Sequence, residues 1–469
     1  MTAINVTESG LSAAAVAALS ERLGEPAWLA KRRLEAWRLF EEAPMPDPLS
    51  EEWKRVDTER LTLDGLTPYA AAGAIEGAKG LPRELRSLWD EREKVAGRVV
   101  QVDSDVVYSA LEESLRAKGV IVAGLHPAAR EHEDIVREHL LSVVPAAEWK
   151  YVSLHAALWT GGCLVYVPQG VEIELPVEYS IGLTAPGTLV FPHLLIVAEA
   201  NSRVTVIQEG AGPAGAGRNR ERGTRTMAPP RPGGLNVVSG AVEVIAREGA
   251  QVSFVDVQRY GTSAQSFSTM RALLGRGASF RPVLLGLGGS LTKSRLDVRM
   301  EGEGSRALLS GLFFGSGDQQ FHYDTLQDHI APRTESDLLF KSALDDRASA
   351  IWNGVVDVRT TASQASANQT SRNLLLSDKA SASPTPILEI SAFDVTRCSH
   401  GATVGPVDRE QIFYLQSRGI PAEEAERMLV DGFFAEVLER VPSERLRQRV
   451  ERVLERKRGT SNREQGPGE

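Results

Sequence analysis

From about residue 240 to residue 390 the chain repeats one unit: an apolar run rich in Val, Ile, Leu and Phe, a charged or glycine turn, a small residue, then another apolar run. "VIAREGAQVSFVDVQ", "ALLGRGASFRPVLLG", "VRMEGEGSRALLSGLFF", "SALDDRASAIWNGVVDV" and "LLLSDKASASPTPILEI" are copies of it, and "IVAEANSRVTVIQEG" precedes them. Short runs broken by Gly, Ser and Asp are strand punctuation, not helix punctuation. Aligned on the small residue after the turn, Ala250, Ala278, Ser305, Ala348 and Ala380 stand 28, 27, 43 and 32 residues apart. A recurrence near 30 predicts a parallel β-helix or similar β-solenoid, whose coils bury their apolar faces only against each other, with longer coils where a loop is inserted. A β-sandwich also repeats strands and is the competing fold.

Helical periodicity brackets this region. Leu29, Leu34, Trp37 and Phe40 fall at helical spacing in "PAWLAKRRLEAWRLFEEAPMPDP", with Pro26 suited to the first turn and Pro44, Pro46 and Pro48 ending the run. After Pro406 three helices are predicted: one ending at Gly419, one starting at Pro421, and one capped by Ser443, in which Leu446, Val450, Val453 and Leu454 make a single apolar stripe. The organisation expected is a mixed, helical N-terminal region over 1–145, the solenoid over 146–404, a C-terminal helical domain over 405–460 and a frayed tail over 461–469. Within the solenoid, residues 210–234 are Gly, Pro and Arg with almost nothing to bury, which reads as a mobile loop.

Composition excludes several classes of function. The chain is 42% apolar and 25% charged, near globular averages. No apolar run is long enough for a transmembrane helix, and the start lacks the basic region of a secretory signal, so a cytosolic protein with no membrane partner is expected. Lys and Arg number 53 against 62 Asp and Glu, a net charge of −9, which argues against a partner held through nucleic-acid phosphates. The two cysteines, Cys163 and Cys398, cannot make a Cys₄ site within one chain, so metal chemistry must borrow ligands.

The search for chemistry rejects more than it finds. "GLGGSLTKS" at 286–294 has Thr292 and Leu287 where a P-loop needs glycines, and neither a GxSxG elbow nor an HExxH motif occurs. The densest polar cluster, with Asp318, His322, Asp324, Asp328 and His329, could supply paired carboxylates for a carbohydrate-active β-helix enzyme, or could be ordinary turn and surface acids. Cys398 and His400 stand two apart in "RCSHGATVG". On a strand both face one side, and thiolate with imidazole suits iron, zinc or iron–sulfur species. A structural cysteine beside a hydrogen-bonded histidine has the same spacing.

The stretch "QTSRNLLLSDKASASPTPILEISAFDVTRCSHGATVGPVDREQIFYLQSRGI" resembles the C-terminal signature of the SufB/SufD family of iron–sulfur cluster assembly proteins. "PAWLAKRRLEAWRLFEEAPMPDPLSEEWKRVD" and "CLVYVPQGVEIELPVE" extend the likeness more loosely. SufB proteins typically carry "EHEATTSKI" where this chain has "CSHGATVGPV", and a cysteine at the position of Ser371, so the resemblance is to the SufD side. It implies a right-handed parallel β-helix, mainly β with flanking α. It also implies a non-catalytic scaffold within a SufBCD complex, paired with a SufB-type paralogue through the β-helices and docking a SufC-type ATPase through C-terminal helices. Carried over, Cys398 and His400 become ligands of a transient iron–sulfur cluster or iron shared with the paralogue, His400 the better supported. Phe413, Leu429, Phe433 and Phe434 become candidate anchors for the ATPase, their alternative being packing on the solenoid. Cys163 matches no family site and reads as a core cysteine. Participation of a reduced flavin, and homodimers outside the complex, are left open.

Overall fold

The computed structural model describes residues 10–461 apart from 214–233 and scattered positions between 46 and 93. Most of the loop expected at 210–234, the end of the tail, and Pro46 and Pro48 thus lie outside the described residues.

Two sheets face each other, and the chain passes from one to the other strand by strand. In the first sheet Gln251–Arg259, Ser279–Gly286, Arg306–Gly315, Glu335–Leu344, Ser366–Leu375 and Arg397–Pro406 are successive neighbours. In the second, Asn236–Ala246, Ala264–Leu274, Leu291–Met300, Gln320–His329, Ser349–Val358 and Ser381–Ile390 are. All of these pairs are parallel. This is a β-solenoid of about eight turns, and the sandwich reading falls because consecutive strands lie in opposite sheets while neighbours run parallel. One detail of the sequence reading is corrected. The 43-residue step is no inserted loop, because Ser305 precedes a first-sheet strand and Ala348 a second-sheet strand. Ser305 and Thr334 are equivalent, as are Gln319 and Ala348, and each pair stands 29 residues apart.

Alternation along each strand separates an inner from an outer face. On Glu335–Leu344, Leu338, Phe340 and Leu344 join the interior cluster with Phe254, Phe280, Phe313 and Phe321, whereas Leu339 and Ala343 lie outside against the C-terminal helices. A chain this rich in inward Val, Leu and Phe gains roughly 1.5–3 kcal/mol per buried side chain, enough to fix the register wherever one face is covered.

Most of the N-terminal helices pack on the outer face of the second sheet, while Ala78 and Trp89 pack on the first sheet beside Val100 and Val102, and Leu115 joins the interior cluster. The helices of this region are α1 (Ala13–Leu23), α2 (Ala27–Glu42), α3 (Gly77–Gly80), α4 (Glu113–Arg116), α5 (Leu125–Glu131), α6 (Glu133–His139) and α7 (Lys150–Leu158). Ser12 caps α1 through Ala15 N, Gly24 ends it with φ +60°, and Pro26 precedes α2. Buried Arg33 on α2 bonds Glu25 at 2.6 Å and the carbonyls of Ala157 and Trp159, tying α2 to α7. A buried polar chain fastens this layer to the sheet. Glu243, outward on its strand, accepts the backbone N–H groups of Leu141, Val143 and Val144 at 2.6, 2.7 and 2.9 Å and contacts His193 Nε2 at 3.0 Å. His193 Nδ1 in turn meets His155 Nε2 at 3.0 Å, and His155 Nδ1 donates to Ser239 O at 2.7 Å.

After the last strand come α8 (Arg409–Ser417), α9 (Ala422–Leu438) and α10 (Glu444–Ser461). Gly419 takes φ +86° beyond α8, Pro421 precedes α9, and Ser443 Oγ accepts from Leu446 N, as the sequence predicts. The stripe of Leu446, Val450 and Leu454 is buried on the outer face of the first sheet with Val255, Leu285, Leu312 and Phe314. Polar clamps hold it: Arg449 to Glu209 at 2.8 Å, and Lys457 Nζ to Leu287 O, Phe314 O and Gln319 Oε1 at 2.8, 2.6 and 2.8 Å. Burial pushes the Lys457 ammonium down to about 7.

The two ends of the solenoid differ. At the N-terminal end each sheet finishes in an antiparallel strand, Asp105–Leu111 in the first and Ile121–Gly124 in the second. At the C-terminal end Ser381–Ile390 and Arg397–Pro406 are the last strands, and their outer edges carry no further strand among the described residues.

Candidate functional site

Cys398 and His400 stand on that last strand. The register carries Phe340 to Ser371 and Ser371 to Ala402, so the inward row of the final strand is Cys398, His400, Ala402 and Val404. The sequence expectation of one shared face holds, and that face is the lumen. Cys398 is half-buried and packs with Val356, Val358, Ala365, Ala367 and Leu388, whereas His400 is exposed on a strand that no further strand covers among the described residues. Burial raises the Cys398 thiol above its ordinary range, opposed by a hydrogen bond with the Ala367 backbone.

Behind the pair the lumen turns polar. Gln369, Ser371, Asn373, Gln327 and Ser336 occupy inward positions where earlier coils carry Phe, Val and Leu. Gln369 Nε2 spans the lumen to Gly354 O and Ile387 O at 3.2 and 3.0 Å. Asn373 Nδ2 donates to Ser371 Oγ and Thr403 O at 3.1 and 3.0 Å, holding the last strand to its neighbour. Among the described residues no three His, Cys, Asp or Glu side chains gather closely enough to hold a metal ion. A thiol and an imidazole at an open mouth could fill at most two positions of a tetrahedral set.

The polar cluster at 318–329 does not converge. Asp318 pairs with Arg347 in a turn at 2.6 Å. His322 and Asp324 face outward with Lys293, at 3.0 and 2.8 Å from Asp324 respectively. Burial would raise Asp324, but the His322 hydrogen bond and Lys293 hold it well below the carboxylate range. Asp328 faces outward to Arg359 at 3.0 Å. His329 faces the lumen, bonds Thr334 and Ser336 at 2.8 Å each, and is pushed down to about 4 by burial. Every acid has a basic partner, and strand alternation sends the two histidines to opposite faces.

The candidate anchors also separate. Phe434 is 1% exposed in the cluster beneath α9 and α10, and Phe433 packs partly there under Lys341 Nζ, 5.0 Å above its ring. Both serve the chain's own packing, the alternative the sequence had left open. Leu429 is half-buried, and Phe413 on α8 is 72% exposed. Two further exposed apolar residues were missed by sequence reasoning, Tyr414 next to it in the chain and Met428 on α9. Adjacency to Phe413 was the available signal for Tyr414. At the open end Ile387, Ile390, Phe393 and Val404 are exposed as well. Cys163 is a core residue, fully buried in the lumen, and its thiol is raised by burial.

The model of the SUF system FeS cluster assembly SufBD core domain matches residues 181–433, and that of the SufBD protein N-terminal region matches residues 93–179. The chain belongs to the SufB/SufD family. The iron–sulfur cluster assembly protein SufD of Bacillus subtilis is 33% identical over 444 residues, covering 93% of this chain and 96% of the relative. SufB of the same organism is 27% identical, covering 93% and 91%. A SufBD family protein of Staphylococcus epidermidis is 28% identical, also covering 93% and 91%. The family likeness is therefore closer to SufD among these relatives, as the residues at 371 and 398–407 had suggested.

Proposed function

We propose that this chain is a non-catalytic scaffold subunit for iron–sulfur cluster assembly in the cytoplasm. It pairs with a SufB-type subunit across the open end of its solenoid, docks a SufC-type ATPase on the exposed side of α8 and α9, and lends His400 and Cys398 to a nascent cluster or iron. The observation that carries this reading is the placement of a lumen-facing imidazole and thiol on the terminal strand, where a second chain can complete both the sheet edges and the ligand set. The cluster is cargo, built and passed on. The chain's own residues hold, orient and shield it: the rigid coils fix the spacing of the two donors, and Val356, Val358 and Leu388 around Cys398 keep water from the thiol side. Helices clamped to the outer wall would carry a partner's motion to the mouth.

The test is His400→Ala in the complex purified anaerobically with its partners. The fold and the complex are expected to survive, because His400 is exposed, while the visible chromophore of the cluster is lost. Cys398→Ser is expected to cost as much or less. A full chromophore in His400→Ala removes the ligand role.

A further inference from the structure

Directly beside His400 the lumen holds an amide with half of its bonding capacity unused. Gln369 is the register partner of His400 on the neighbouring strand and is fully buried. Its Nε2 gives hydrogens to two carbonyls of the opposite sheet, Gly354 O and Ile387 O. Those acceptors settle which end of the amide is nitrogen, since exchanging the ends would set oxygen against two oxygens. Oε1 is left buried and without a hydrogen-bond partner. The space it occupies is kept by Gly354, where an added Cβ would come within 2.4 Å of Oε1. One coil further in, Gln327 repeats the pattern, with Nε2 donating to Ser336 Oγ and Asn368 O and Oε1 without a partner.

A buried acceptor without a donor is costly, and buried amides are ordinarily satisfied. The nearest candidate donors on the last strand are the Cys398 thiol and the His400 ring. Cys398 lies beside Ala367, one inward position away, whereas His400 lies beside Gln369 itself. Same-face side chains on parallel strands about 4.8 Å apart stack as a ladder, within reach of a hydrogen bond after a small tilt. An imidazole that binds a metal through one nitrogen presents N–H on the other, and that N–H requires an acceptor to fix tautomer and ring angle.

We propose that Gln369 is a positioning residue for His400, its Oε1 accepting the N–H of the ring nitrogen that faces away from the cluster when a partner closes the mouth. The inference rests on His400 being a ligand. Gln369 touches neither iron nor sulfide, and it acts only through the ring it orients.

The experiment uses the complete complex. Gln369→Met keeps the length and bulk of the side chain but removes the acceptor and the donors, while Gln369→Glu restores an oxygen acceptor on the same carbons. Chromophore yield is expected to fall about tenfold in Gln369→Met and to recover in Gln369→Glu, although the latter, with at most one hydrogen to give to two carbonyls, gains little thermal stability over Gln369→Met. A merely structural glutamine would rank the variants by thermal stability instead, and that ranking overturns the proposal. A full yield from Gln369→Met, the result expected if Oε1 only holds a water, overturns it too. As a readout without the cluster, cupric ion alone is bound to the complex, with His400→Ala as the blank, and electron spin-echo modulation from the remote imidazole nitrogen is recorded. That coupling should change between wild type and Gln369→Met, and an unchanged coupling refutes the contact. Loss of chromophore in His400→Ala with none in Gln369→Met defeats this inference alone, whereas full chromophore in His400→Ala defeats the functional reading beneath it.

Discussion

With only two cysteines in the chain, thiol chemistry reports on single residues. Thiolate is the reactive form, and burial raises both thiols, Cys163 at the centre of a coil and Cys398 at the mouth. In the isolated native chain an alkylating reagent is expected to modify Cys398 alone, more slowly than a free cysteine at pH 8 and faster as pH rises, with Cys163 reacting only in denaturant. Two equivalents reacting in the native state would contradict the lumen placement of Cys163. Glu243 allows a sharper test of packing, because it satisfies three backbone N–H groups and contacts His193. Glu243→Ala strands all of them, and a loss of about 3–5 kcal/mol is expected in denaturant unfolding. At this scale the sequence was only partly legible. Cys398 and His400 were visible because a period of two is the whole rule for sharing a strand face. The amide network of Gln327 and Gln369 was not, since it depends on which inward residues of the same and the adjoining coil face each other across the lumen. Nor does any local signal in the sequence announce Glu243 and its nest of N–H groups.

Among the elements, α8, α9 and α10 divide the apolar residues of one stretch between burial and exposure. Phe434→Ala empties a site that is 1% exposed and should cost about 3–5 kcal/mol, whereas Phe413→Ala, at 72% exposed, should leave stability unchanged and weaken retention of the ATPase. Equal losses of stability would show that α8 packs inward as well. Helical spacing marks such residues as apolar but does not say which of two faces meets the solenoid, so the four anchors looked alike in sequence. The clamp at Lys457 carries a pH dependence whose sign is fixed. Its native value of about 7 lies below the unfolded value of about 10.4, so between them the unfolded chain binds the extra proton. Stability of the α10 attachment should therefore fall as pH drops from about 10 towards 7 and level off below that. Proteolytic release of the C-terminal helices, measured across that range, should show the trend in the wild type and a flat profile in Lys457→Met. The 43-residue step has a similar lesson. Both sheets carry the same turn signal, so a chain read linearly skips from one sheet to the other, and half a coil passes for an insertion.

For the whole molecule the two ends of the solenoid differ in how their strands finish. At the N-terminal end each sheet finishes in an antiparallel strand, whereas at the C-terminal end the parallel coils stop with two edges side by side, the end that a further parallel coil would extend. Free edges invite pairing, and folds that stay monomeric blunt them with charge or cover. Here the inward row of the last strand ends in Ala402 and Val404, and Ile387, Ile390 and Phe393 stand exposed nearby. An end so apolar fits a partner built on the same coils, and under the proposed function that partner is a SufB-type subunit, which would supply matching edges together with the missing ligands. Val404, 43% exposed and two inward positions beyond His400, is the residue to change. Val404→Lys adds nothing to the folded chain but a solvated amine, so thermal unfolding of the isolated chain should stay within about 0.5 kcal/mol of wild type. Once a partner covers the mouth, that amine is buried without a counter-ion, which costs several kcal/mol and should lower the affinity for the SufB-type subunit by a factor on the order of a hundred. Co-elution of the two subunits measures it. Self-association of the isolated chain, if it uses the same edges, should be lost in parallel, while binding of the ATPase at α8 and α9 should persist. Pairing that survives Val404→Lys would mean that the subunits meet along the flanks of the solenoid, and the ligands completing the site would then have to be sought there.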